Sequence, residues 1–111
     1  MKIISFGWTV EPLLYRTKTV TRRTWNFKYA QMFKPGDICL AYDKSPRVGG
    51  KPIAKIKINK IYQEQLKDMP DADVQNEGGL WSSKTDFIKK CFDGKRNLWV
   101  FVIRFEVIEI I

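Results

Sequence analysis

Short apolar runs separated by turn residues, an isoleucine–lysine alternation near the middle and a long apolar segment at the end predict an α+β domain dominated by strands. About five to six strands are expected against two to three short helices, and their order closes most naturally as a small barrel. The 111 residues, 44% hydrophobic and 14% aromatic, suffice for one core and fall well short of two. Residues 1–111 are therefore read as a single domain.

Residues 2–6 (Lys-Ile-Ile-Ser-Phe) read as a first strand. In residues 11–15, Pro12 followed by Leu13 and Leu14 predicts a short helix, because proline is tolerated in the first turn, where its missing N–H would be unpaired anyway. Thr19, Val20 and Thr21 then favour extended backbone, since branching at Cβ restricts χ1. Alternate side chains point to opposite faces, Val20 one way and Thr19 and Thr21 the other. Residues 25–33 mix aromatic and polar side chains and predict a helical turn. Pro35-Gly36-Asp37 is a turn signal, and residues 38–42 (Ile-Cys-Leu-Ala-Tyr) after it form a buried strand.

Beyond a loop at 44–50, residues 53–61 alternate over their second half, with isoleucines on one face and lysines on the other, as in a half-buried strand. Residues 66–80 are polar, contain Pro70, Gly78 and Gly79, and carry the acidic cluster Asp68, Asp71, Asp73 and Glu77. A loop with one helical turn is expected there. Ser83 can accept from the first N–H groups of a helix whose Phe87, Ile88, Cys91 and Phe92 share one face and which Gly94 ends. The last strand, residues 98–110, is apolar along Trp99, Phe101, Ile103, Phe105 and Val107 and mixed on the other face. It is expected in the centre of a curved sheet, with Trp99 in the core.

Twenty Lys and Arg against twelve Asp and Glu leave a formal charge of +8, which favours polyanionic partners such as RNA, DNA or phosphorylated ligands. Histidine is absent, which removes the commonest general base and the commonest metal ligand. Ser-His-Asp and Cys-His chemistry are thereby excluded, and Cys39 and Cys91 are too few for a structural zinc site. No metal and no organic cofactor are expected. Both cysteines are expected as reduced, buried thiols, although their spacing leaves a pairing open. The N-terminus lacks the apolar run of a signal peptide and no segment is long enough to span a bilayer, so a cytoplasmic protein without a membrane partner is expected.

The densest chemistry lies in Lys18-Thr19-Val20-Thr21-Arg22-Arg23, followed by Phe33-Lys34-Pro35-Gly36-Asp37. An ammonium, a hydroxyl and two guanidiniums this close can hold a phosphate or a polar base, or activate the hydroxyl; alone, they also fit a solvated basic strand. Taken with Leu13-Leu14 before them, Glu77-Gly78 in the later loop and Val102-Ile103-Arg104-Phe105 near the end, these pieces resemble the ASCH family, in family order over nearly the whole chain. The resemblance implies a PUA-like β-barrel whose basic cleft binds RNA or a modified nucleoside. In some small members it implies an amidohydrolase acting on N4-acylated cytidine through a lysine, a threonine and a glutamate, types that stand here at Lys18, Thr21 and Glu77. A non-catalytic interaction module is the third alternative.

The reactive set is intelligible by itself, because a lysine whose pKa is lowered by burial or cationic neighbours can take the proton of a hydroxyl and make threonine a nucleophile. Arg22 or Arg23 would favour the neutral amine. Glu77 can hold Lys18 or protonate a leaving amine, yet an adjacent carboxylate also stabilises the charged lysine, so two effects oppose each other. One departure stands out: the small amidohydrolase-like members usually carry glycine two residues before the lysine, where this chain has Arg16. An arginine there either occludes a small pocket or adds a phosphate contact. Arg22 and Arg23 are expected at phosphates, which would make affinity fall steeply with salt. Of the four tryptophans, Trp25 and Trp81 flank the proposed site and are expected to stack on a base, each contact contributing roughly 1–3 kcal/mol.

Overall fold

The β-branched and aromatic residues of the middle and end of the chain form two long strands, β4 (Pro52–Gln65) and β5 (Trp99–Ile110), paired antiparallel from Ala54 opposite Ile110 to Gln65 opposite Trp99. In this computed structural model, which describes residues 1–111, they are the centre of a five-stranded sheet. The other strands are β1 (Ile3–Ser5), β2 (Val20–Arg23) and β3 (Ile38–Tyr42), and the order across the sheet is β1-β3-β4-β5-β2. Four short helices complete the fold: α1 (Val10–Leu14), α2 (Phe27–Ala30), α3 (Asp73–Asn76) and α4 (Lys84–Phe92). Ser83 caps α4, its Oγ accepting from the backbone N–H of Asp86 at 3.1 Å.

The long ribbon changes face at irregularities in its register, between Lys55 and Ile56 and between Ile58 and Lys60. One extra residue inverts the alternation of everything beyond it. Ile56 and Ile58 thus face one core, and past Asn59 it is the odd-numbered Ile61 that returns to that core while Tyr62 joins the opposite one. The first half of β5 is buried on both sides, which is why it reads as a continuous apolar run. Phe101, Ile103 and Phe105 pack with Ile4, Phe6 and Leu13, whereas Val100 and Val102 pack with Val20 and the apolar face of α4. Trp99 does not belong to either core: it is 59% exposed, because burial on β5 begins only at Val100, one residue inside the strand's end.

The barrel expected from the element order does not form, and the sheet stays open. β1 pairs only with β3, in parallel, and β2 only with β5, antiparallel, so these two are the edges. With three and four residues they offer few backbone groups for pairing with each other. A side chain joins them instead: Arg23 Nη2 donates to the Ser5 carbonyl at 2.6 Å, and the guanidinium lies 5.1 Å from the centre of the Phe6 ring. The space left between the two edges is where the polar residues of the chain converge.

Ile103 is fully buried at the middle of β5. Ile103→Ala should lower unfolding free energy by about 2–5 kcal/mol, while Trp99→Ala at the exposed end should cost less than about 1 kcal/mol. Urea denaturation of the two variants checks the difference.

Candidate functional site

Lys18 is delivered to the gap by a turn after α1. The chain leaves the helix through Arg16, at φ 62°, and the backbone N–H groups of Thr17 and Lys18 both donate to the Pro12 carbonyl. Thr19 N–H then donates to Asn76 at the end of α3. Left-handed backbone at Arg16 supplies a conformational reason for glycine at this position, since only glycine adopts it without a Cβ penalty. The Arg16 side chain is exposed and does not line the cavity between the edges. On the opposite side, Gly78 (φ 134°) lets the later loop turn against α1, where a Cβ would stand 3.3 Å from two atoms of the Pro12 ring.

These approaches bury Lys18 to 2% exposure against Glu77. Its Nζ donates to Glu77 Oε1 at 2.8 Å and to the Glu77 carbonyl at 2.9 Å. Burial lowers the Lys18 pKa, Glu77 opposes the shift, and Arg23 adds to it. Thr21, also buried, accepts a hydrogen bond from Arg23 Nε at 3.0 Å.

Strand alternation separates the two arginines. Arg23 points with Thr21 to the side of Phe6, and Arg22 points with Val20 to the other. The Arg22 side chain is 0% exposed and meets three carboxylates. Nε donates to Glu64 Oε1 at 2.9 Å, Nη1 to Glu77 Oε2 at 2.9 Å, and Nη2 to Asp73 Oδ2. Burial disfavours the Arg22 charge, but Asp73, Glu77 and Glu64 outweigh it and raise its pKa. Asp73 is in turn gripped by Arg104, through Nη1 at 3.1 Å and Nη2 at 2.8 Å, and by Asn76. Burial opposes its ionisation, yet the hydrogen bonds from Arg104, Arg22 and Asn76 prevail and hold its pKa at about 2. Arg22 and Arg23, expected at phosphates, are therefore engaged inside the protein, Arg22 by carboxylates and Arg23 by Ser5 and Thr21.

The cavity measures about 300 Å³. Ser5, Phe6, Gly7 and Trp8 contribute one side, Lys18 and the β2 residues Thr21, Arg22 and Arg23 another, and Glu77, Trp81 and α4 a third. Trp81 is 7% exposed and packs edge-on against Phe87, ring centres 4.7 Å apart. Trp8 stands at the rim with 71% of its surface exposed. Trp25, expected at a base, is instead stacked on Phe33 at 4.5 Å and set edge-on to Tyr29 at 5.0 Å, away from the cavity. Trp8 follows Gly7 outside any periodic pattern, and nothing in the sequence singled it out. Both cysteines are free thiols: Cys39 is in the core, and burial pushes half-buried Cys91 up to about 11. No group of three His, Cys, Asp or Glu side chains is arranged to hold a metal ion, and no helix is long and apolar enough to cross a membrane.

No protein-family model matches the sequence, and no curated protein does. Solved structures do match. A protein of Enterococcus faecalis V583 described by the family model DUF984 superposes with a TM-score of 0.72 at 15% identity, over 99% of this chain and 81% of its own. An ASCH domain from Lactobacillus crispatus JV V101 gives 0.65 at 14% identity, over 97% and 80%. The hypothetical protein PH0355 gives 0.65 at 22% identity, over 97% and 100%. At these identities the likeness establishes the fold, which is ASCH-like.

The folded-state pKa of Asp73 lies below its ordinary value of 3.8, so the stability it contributes is complete above 3.8 and is lost as pH falls through about 2. Asp73→Asn should remove that acid limb from a stability–pH profile and cost about 3–5 kcal/mol at neutral pH, because it leaves two guanidiniums short of a counter-charge. Arg16→Gly relieves the left-handed strain and should stabilise the protein by about 1 kcal/mol, read as a rise in Tm.

Proposed function

We propose that the cavity takes the base of a modified pyrimidine nucleoside and hydrolyses an acyl amide on its N4 nitrogen. The observation that carries this reading is the grouping of Lys18, Thr21 and Glu77 on the wall of one small cavity, with the lysine buried so that its pKa is lowered. A volume of about 300 Å³ lies at the lower end of the range for small-molecule sites, roughly 300–1,000 Å³, and suits a single nucleoside. Trp81 and Trp8 provide aromatic surface for the ring. An ASCH-like fold agrees with the family resemblance, which implies such hydrolysis for some small members.

A neutral lysine amine has two N–H bonds and one lone pair. Both N–H bonds are taken by Glu77, one at the carboxylate and one at the carbonyl, which leaves the lone pair for a proton. Thr21 gives its hydroxyl proton to Lys18 and Oγ1 bonds to the acyl carbon; Arg23 donates to the same oxygen and favours its anionic character. The C–N4 bond then breaks, the amine leaves with the proton carried by Lys18, and the acyl group remains as an ester on Thr21. Water gives a proton to Lys18 and attacks the ester, Thr21 recovers its proton, and a carboxylic acid departs. Glu77 serves chiefly to orient Lys18, since its second oxygen belongs to Arg22.

RNA remains the second reading, and one observation moves it elsewhere on the molecule. The site holds four cations (Lys18, Arg22, Arg23 and Arg104) and three carboxylates (Glu64, Asp73 and Glu77), which leaves sixteen basic and nine acidic side chains outside it. A polyanion is attracted chiefly by those outer lysines and arginines.

Incubation with a panel of N4-acylated cytidines, followed by chromatography for released cytidine, is the test. Turnover should be lost in Lys18→Ala and in Thr21→Ala with the folded spectrum intact. The rate should rise with pH along a limb whose midpoint lies below the ordinary lysine value of 10.5. Absence of turnover across the panel overturns the hydrolase; salt-dependent RNA binding that survives Lys18→Ala would then support the outer surface.

A further inference from the structure

The carboxylate beside Lys18 should favour the charged amine, which opposes any role for that lysine as a base. The structure shows where part of the carboxylate's charge goes. Glu77 Oε1 accepts from Lys18 and Oε2 from Arg22, so the two cations share one anion. Arg22 is itself held by Glu64 through Nε and by Asp73 through Nη2, and Asp73 is held by Arg104. The guanidinium is thereby fixed in one orientation, with Nη1 directed at Glu77.

We propose that Arg22 is a positioning residue that fixes the Glu77 carboxylate and shares its charge, so that the lysine on the other oxygen is free to give up its proton. Glu64 is the competitor in this arrangement: it accepts from Nε of the same guanidinium, and what it takes of the Arg22 charge is withheld from Glu77. The charged and titratable groups around Lys18 are Glu77 from the loop after α3, Arg23 from β2 and Cys91 from α4, and Arg22 is joined to it through Glu77. No contact with substrate is implied for Arg22, whose side chain has no exposed surface. The inference rests on the hydrolase reading only for what Lys18 does with its lone pair; the proton equilibrium itself is a property of the unliganded protein.

It is tested by following the Lys18 side chain through a pH titration of protein labelled with carbon-13 and nitrogen-15 at lysine, its signal assigned by its loss in Lys18→Gln. Arg22→Gln should raise the Lys18 midpoint by about one pH unit, as full exposure to a neighbouring carboxylate does. The same substitution made on top of Glu77→Gln should move the midpoint by less than it does when Glu77 is present, because only the direct repulsion between the two cations is then lost. Glu64→Gln, which keeps an acceptor for Nε while removing the competing charge, should move the midpoint down, and it decides the matter if Arg22→Gln does not fold. A midpoint unmoved by Arg22→Gln in folded protein, an equal shift in the Glu77→Gln background, or an unchanged or raised midpoint in Glu64→Gln would each overturn the proposal. Where N4-acylcytidines are turned over, Arg22→Gln should lower kcat near neutrality, regain it at higher pH and leave KM nearly unchanged. Where they are not, the titration stands independently, so the two ideas fail separately.

Discussion

One guanidinium draws together segments that the sheet alone would leave apart. Arg22 sits on β2, an edge strand of four residues, and its side chain reaches the end of β4 at Glu64, helix α3 at Asp73 and the loop beyond it at Glu77. Removing so many charges from water is costly, and such a network persists only when every member is matched. Here no buried side-chain nitrogen or oxygen lacks a partner. Its contribution is then less to net stability than to geometry, because any displacement of α3 or its loop would strand a buried charge. Lys18 and Thr21 inherit that fixity, since Lys18 is bonded to Glu77 and Thr21 neighbours Arg22 on the strand.

The open sheet and the candidate site are one feature seen from two sides. In a closed barrel the backbones of β1 and β2 would pair and the space between them would vanish. Their separation admits Phe6, Trp8 and Trp81 on one hand and Lys18 and Thr21 on the other, and gives the cavity aromatic surface beside a polar floor. Arg23 spans this gap at Ser5 and so limits how far the edges part.

Much of this was legible in the chain. The strand at 38–42, the capped helix after Ser83 and the long last strand follow from local patterns, and the residue types at Lys18, Thr21 and Glu77 were recognisable in order. What the chain alone did not show were features requiring knowledge of neighbours. Period-two alternation, applied one residue further, sends Arg22 and Arg23 to opposite faces; read as a pair, they were expected at phosphates, and their internal partners were not foreseen. Asp73 looks like part of an ordinary solvated acidic loop until a buried cation is known to need it. Trp99, an aromatic in an apolar strand, was expected in the core and lies past its edge, whereas Trp25, an aromatic near charges, is stacked against Phe33. Closure of the barrel depends on how two short strands end relative to each other, which composition does not encode.

The gap between the edges also bears on self-association. A sheet edge with free N–H and C=O groups is a template on which a neighbouring chain can add a strand. In this molecule the two edges end beside one shared cavity, are only three and four residues long, and have one carbonyl already occupied by a guanidinium. A foreign strand finds no long, flat ledge to extend, so the opening that admits a small ligand is built from the segments most in need of protection from other polypeptides.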